Sequence, residues 1–244
     1  MVEGRNVQSA EIVRVSRKWM FNMVRTFFHW CRFAVLGLLA STAACAGFHS
    51  AQAIRGQVVD KDTGQPLEGV IVVAQWQPDF VGTFGRREGS VINSFEAVTD
   101  KEGRYQIPAW GPKPLLPFTE MGIEDPGLSF FKPGFMPFFA SNTAFADPRQ
   151  RRVPLGVSEW DGKIVTLSKH YGPLKQYAER VGLLSRSLRD ARDNWKNYPR
   201  MVYALWREEK RLPKGILRPF GQLAPIDIEI LSEDDRKYLE ERGR

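Results

Sequence analysis

The sequence predicts a mainly β fold: an antiparallel sandwich over residues 54–168, followed by a helical C-terminal extension over 169–244 built on two amphipathic helices. Three observations predict it. Short β-branched runs are punctuated by Gly, Pro and Asp. The 244 residues include 21 Gly and 16 Pro, a share of turn-formers above the usual one. From Leu174 onward the apolar residues switch to helical spacing. The 43% apolar and 26% charged residues exclude a wholly disordered chain and a multi-span membrane protein.

In chain order, the N-terminal 53 residues read as an address. Residues 33–46 form a fourteen-residue run without charge, shorter than the about 20 apolar residues a bilayer-spanning helix needs. Arg14, Arg17, Lys18, Arg25 and Arg32 precede it, and two small-x-small patterns follow, Ala44-Cys45-Ala46 and Ala51-Gln52-Ala53. This is the anatomy of a secretory signal peptide with a long n-region, cut after Ala53 or after Ala46, and it predicts a periplasmic or secreted protein. The site after Ala53 is the one expected. Two other outcomes stay open: an uncleaved N-terminal anchor, and a lipoprotein lipidated at Cys45, although Thr42 stands where lipoproteins usually carry Leu. Met20 and Met23 are alternative starts. The chain has only two Cys, at 31 and 45, so a disulfide-dense scaffold and a four-Cys zinc site are both excluded.

The sandwich strands follow. Gln57–Asp60 and Val70–Trp76 flank the turn 60–66, where Asp, Gly and Pro supply geometries a strand cannot hold. Glu96–Thr99 and Arg104–Ile107 flank Asp100-Lys101-Glu102-Gly103, which reads as a tight hairpin. Phe130–Phe131 and Phe135–Phe139 surround Lys132-Pro133-Gly134, and Ile164–Ser168 gives a last strand after Asp161-Gly162. Such short strands without helical period argue for a sandwich and against a βαβ fold.

Gly56-Gln-Val-Val-Asp60, Gly64-Gln-Pro-Leu-Glu-Gly-Val-Ile-Val72, Val98-Thr-Asp-Lys-Glu-Gly-Arg-Tyr105 and Lys132-Pro-Gly-Phe135 together resemble the carboxypeptidase regulatory-like domain. That domain is a transthyretin-like, seven-stranded β-sandwich, an accessory module of many exported proteins. The resemblance is strong over 54–110 and weak over 128–168; between 108 and 163 the family's loop and last strands are stretched by 110–117 and 142–157. It implies a non-catalytic accessory or interaction module of the cell envelope, binding a protein or glycan partner. The competing expectations are a small periplasmic hydrolase on a transthyretin-like fold and a purely structural envelope component.

The residues themselves lean away from an enzyme. Asp60, Asp62 and Gly64 mimic the start of a calcium loop, but the twelfth position holds Ile71 instead of a closing Glu, so an Asx-stabilised turn is expected. After Ala53 the only His is His170 and no Cys remains, which leaves no zinc-ligand set and no Ser-His-Asp triad to assemble. Glu208–Glu209 and Glu233–Asp235 read as solvated faces and not as facing acid–base pairs. No catalytic residue, metal ligand or cofactor is expected. Trp110 and Trp160, flanked by Gly, Pro and Asp, are the candidate exposed aromatics for ligand binding.

In the extension, Leu174, Tyr177, Val181, Leu184, Leu188, Ala191 and Trp195 recur at 3-4-3-4-3-4 spacing, while Arg180, Arg186, Arg189, Arg192 and Lys196 fall off that seam. The seam (Leu174, Tyr177, Val181, Leu184, Leu188, Trp195) either docks on the sandwich or meets a partner. Contact with anionic lipid is a third reading. Pro199 begins a second helix over 200–210, Ile226–Leu231 reads as a strand, and Ser232 with Asp235 caps a terminal helix. The net charge of +7 gives no case for nucleic acid, because the first 53 residues already carry six Lys+Arg against two Asp+Glu and much of the rest lies on this one arm. Membrane contact is expected only through the N-terminal segment.

Overall fold

The computed structural model describes residues 32, 47–82, 85–116, 118–122, 124–143, 153–188, 195–212 and 232–243. The leader over 33–46, Ala191 of the helical seam and the strand expected at 226–231 lie outside the described residues. The compact body begins at Phe48. Among the described residues no helix is long and apolar enough to cross a membrane.

Twelve strands are described: β1 (Phe48–Ala51), β2 (Ile54–Asp60), β3 (Ile71–Trp76), β4 (Pro78–Gly82), β5 (Gly85–Glu88), β6 (Asn93–Val98), β7 (Arg104–Ile107), β8 (Trp110–Pro114), β9 (Thr119–Met121), β10 (Gly127–Phe131), β11 (Phe138–Ala140) and β12 (Lys163–Leu167). The helices are α1 (Leu174–Ser187), α2 (Pro199–Arg211) and α3 (Glu233–Gly243), with a 3-10 turn at Trp195–Asn197. Two sheets carry the sandwich, in the orders β11-β10-β3-β6 and β12-β2-β7. Two small sheets, β1-β8 and β5-β4-β9, accompany them. The fold is a mainly antiparallel β-sandwich with a helical extension.

The turn residues lie where the sequence puts them, but the strands they join part company. β2 and β3, on either side of the 60–66 turn, belong to different sheets, and so do β6 and β7, on either side of 100–103. Each turn is therefore a corner between layers. Asp60 shapes the first by accepting the Asp62 and Thr63 N–H groups at 2.8 and 3.2 Å, an Asx turn. At the second, the Gly103 N–H reaches Asp100 O at 2.9 Å and Asp100 Oδ1 accepts the Arg104 N–H at 2.8 Å. The last strand departs from the antiparallel expectation: β12 runs parallel to β2, Lys163 opposite Gly56 through Leu167 opposite Asp60. The stretch after residue 108, expected as loop, contains β8 and β9, which pair with β1 and β4 respectively.

β3 explains the layering. Its six residues are all buried, as expected of a strand covered on both faces. Val72, Ala74 and Trp76 face the other sheet, packing with Ile54, Val58, Ile107, Val165 and Leu167. Ile71 and Val73, with Phe131 of β10, face the opposite way and pack against Tyr177, Val181, Leu184, Met201 and Leu205. The extension is thus a third layer on the sandwich, sharing a core with it.

Candidate functional site

Two side chains seat α2. The first is Glu96 on β6, whose carboxyl oxygens accept the Arg200 N–H at 3.1 Å and the Met201 N–H at 2.7 Å. These are open donors of the helix's first turn, and a sheet residue fills the capping role that Tyr198, at the N-cap position, leaves undone. Burial pushes the Glu96 carboxyl up to about 8, against the pull of those two N–H groups and of Arg200. The second is Tyr177 on α1. Its hydroxyl accepts the Gly134 N–H at 3.1 Å and donates to Glu208 Oε2 at 2.8 Å, tying the 132–134 turn, α1 and α2 together. Burial, with the charge of Glu208 beside it, raises the Tyr177 hydroxyl well above its ordinary value.

Beside α2 lies a cavity of about 350 Å³. Ile71 of β3 and Lys132–Pro133 line it from the sandwich. Arg200, Tyr203, Ala204, Arg207, Glu208 and Arg211 line it from α2, and Tyr238 from α3. The α2 residues recur at three- and four-residue steps, which places them on one face of the helix. Four cationic side chains line the space against one carboxylate, Glu208, already bonded to Tyr177 and to Arg211 at 3.2 Å. Arg200 is held by Asp235 at 2.7 Å. Lys132 donates to the Glu68 carbonyl. Among the described residues no carboxylate pairs with Arg207, whose guanidinium lies 5.8 Å from the Tyr203 ring centre. The aromatic faces carry cations as well: Arg200 sits 4.7 Å from the Tyr238 centroid, and Lys210 sits 3.7 Å from that of Trp206, which stacks on Tyr203. Such a site suits an anion, with Arg207 as the guanidinium left to grip it.

A second concavity, about 380 Å³, has the opposite character, with Asp79, Glu88, Glu124 and Asp125 in its wall. Asp125 accepts the Gln77 N–H at 3.0 Å, and burial pushes its carboxyl up to about 8. Among the described residues no group of three or more His, Cys, Asp or Glu is placed to hold a metal ion.

No family model matches the sequence, and no curated protein matches it either. Among solved structures, 3-chlorocatechol 1,2-dioxygenase from Rhodococcus opacus 1CP is similar at 19% identity and a TM-score of 0.30, over 51% of this chain and 61% of that one. The pilus 2b backbone protein of group B streptococcus follows at 17% identity and 0.27, over 50% and 42%. The 9R-lipoxygenase from Cyanothece PCC8801 follows at 15% and 0.28, over 70% and 28%. The chain thus spans less than two thirds of the length of each. At this level they carry no argument about function.

The residues singled out from the sequence lie elsewhere. Trp110 is not an exposed loop aromatic. It opens β8 and is only 8% exposed, packed edge-on to Trp76 at 5.4 Å and against His49 at 5.6 Å. Its Gly and Pro neighbours suggested a loop, whereas the strand they belong to pairs with β1. Trp160 is half-buried at the sandwich margin, edge-on to Phe138, with its indole N–H donated to Ser141 O at 2.9 Å. The helical seam turns inward. Tyr177, Val181, Leu184 and Leu188 are buried against the sheet and α2, Trp195 packs at the edge of that cluster, and among the described seam residues only Leu174 stays largely exposed, at 52%. The seam is therefore no open partner face, because the outer face of β3 and β10 occupies it. His170 stacks on Tyr177 at 4.9 Å, at the junction into α1.

Sequence reasoning missed Arg200, Tyr203, Arg207 and Arg211. The signal was present, since these residues alternate around α2 with its apolar side, Met201, Ala204 and Leu205.

Proposed function

We propose that this chain is an exported, non-catalytic interaction module of the cell envelope, built on a carboxypeptidase regulatory-like, transthyretin-like sandwich, and that it binds an acidic segment of a partner protein in the cavity beside α2. The observation that carries the binding role is the cavity's lining of four cations with Arg207 unpaired among the described residues. Arg and Tyr are also the residue types that concentrate binding energy in protein interfaces. A protein partner is favoured over a glycan because a sugar ring needs a bare aromatic face to stack on, and here Tyr203, Trp206 and Tyr238 each carry a cation over one face. Export rests on the basic, apolar, small-x-small order of the first 53 residues.

The test is a titration of the purified chain with a short Asp/Glu-rich peptide, with a neutral peptide and an acidic polysaccharide alongside. The acidic peptide is expected to bind, more weakly as salt rises. Arg207→Glu is expected to weaken it at least about tenfold, the equivalent of about 1.4 kcal/mol. Equal affinity for the Arg207→Glu protein, or tighter binding of the polysaccharide than of the peptide, contradicts the proposal.

A further inference from the structure

The sequence offers two leader cleavage points, and the fold distinguishes them. We infer that the leader is cut between Ala46 and Gly47, so that the mature chain keeps β1; this rests on the export reading above.

Cleavage after Ala53 would remove a strand. Phe48 pairs with Pro114, His49 with Lys113 and Ala51 with Trp110. His49 and Ala51 are buried, and His49 packs its ring on Trp110. The Gln52 N–H reaches Gly156 O at 2.8 Å. Two glycines from distant parts of the chain are fitted to this strand. Gly111 and Gly156 both hold positive φ, 109° and 79°, and a Cβ on either would collide with Ser50. Only glycine meets both demands at once.

The same cut would also place a new charged terminus where charge is costly. Ile54 is 1% exposed and opens β2 opposite Ile107, inside the main core. An α-amino group there, with an ordinary pKa of about 8, would put a positive charge at the edge of that core. Gly47, by contrast, is exposed, and an ammonium on it stays in water. The Ala44-Cys45-Ala46 pattern stands immediately before it, which satisfies the small-x-small demand of leader removal.

N-terminal sequencing and intact mass of the protein from its native cells decide the matter. A chain from the envelope or medium that begins at Gly47 is the expected result. A chain there that begins at Ile54, or at a lipidated Cys45, overturns the inference and leaves export standing. An uncut chain recovered from the cytosol overturns the export reading itself. As a second measurement, chains 47–244 and 54–244 are compared by thermal melting. The shorter is expected to melt roughly 5–10 °C lower, or not to accumulate folded. Equal melting of the two overturns the inference.

Discussion

Glu96 shows how one residue can fix a whole element. It stands on β6 and receives two N–H groups from the first turn of α2, so strand and helix cannot be placed independently. Its carboxyl is pushed up to about 8 by burial, as is that of Asp125, from ordinary values of 4.5 and 3.8. The folded chain therefore keeps protons that the unfolded chain has already released. The stabilising contribution of these protons is full below the ordinary values and drains away as the pH rises towards about 8. Urea midpoints are expected to fall between pH 5 and 8 by a margin that shrinks in Glu96→Gln and again in the double variant with Asp125→Asn. A midpoint unchanged across that range, or rising, contradicts the assignment. Neither carboxyl was legible in the sequence: Glu96 sits in Asn-Ser-Phe-Glu-Ala-Val, an ordinary strand in which its partners, 104 and 105 residues away, leave no trace.

At the scale of elements, β3 and α1 are two halves of one fact. Val70–Trp76 reads as a strand from its β-branched composition, and the structure covers it on both faces. What the composition does not say is what covers the second face. The 3-4 spacing from Leu174 to Leu188 identifies an apolar seam but leaves open what it meets, and the structure matches the two: Val181 and Leu184 lie in one core with Ile71, Val73 and Phe131. Val181→Asp places an unpaired charge in that core, at a cost of about 3 kcal/mol or more. Circular dichroism and urea unfolding are expected to show lost helix and a lower midpoint; wild-type stability of this variant contradicts the shared core. The turns were legible because Asp, Gly and Pro carry their geometry locally. Which sheet each flanking strand joins was not, since pairing depends on residues far along the chain. For the same reason β1, whose partners lie 59–66 residues further along the chain (Phe48 with Pro114, His49 with Lys113, Ala51 with Trp110), reads from the sequence alone as the end of the leader.

At the scale of the whole molecule, the chain from Phe48 onward is a layered body: one sheet, a second sheet, and helices laid on the second. The cavity depends on that third layer, since its walls come from α2, α3, β3 and the 132–134 turn together. A sandwich with a loosely tethered arm would have no such site. Hydrogen exchange tests the point directly. If the helices share the sandwich core, amides of 177–184 and 202–208 exchange as slowly as those of β3 and are lost with them in one cooperative step. If those helical amides exchange within seconds while β3 stays protected, the third layer is not part of the fold, and the binding site proposed on it falls too.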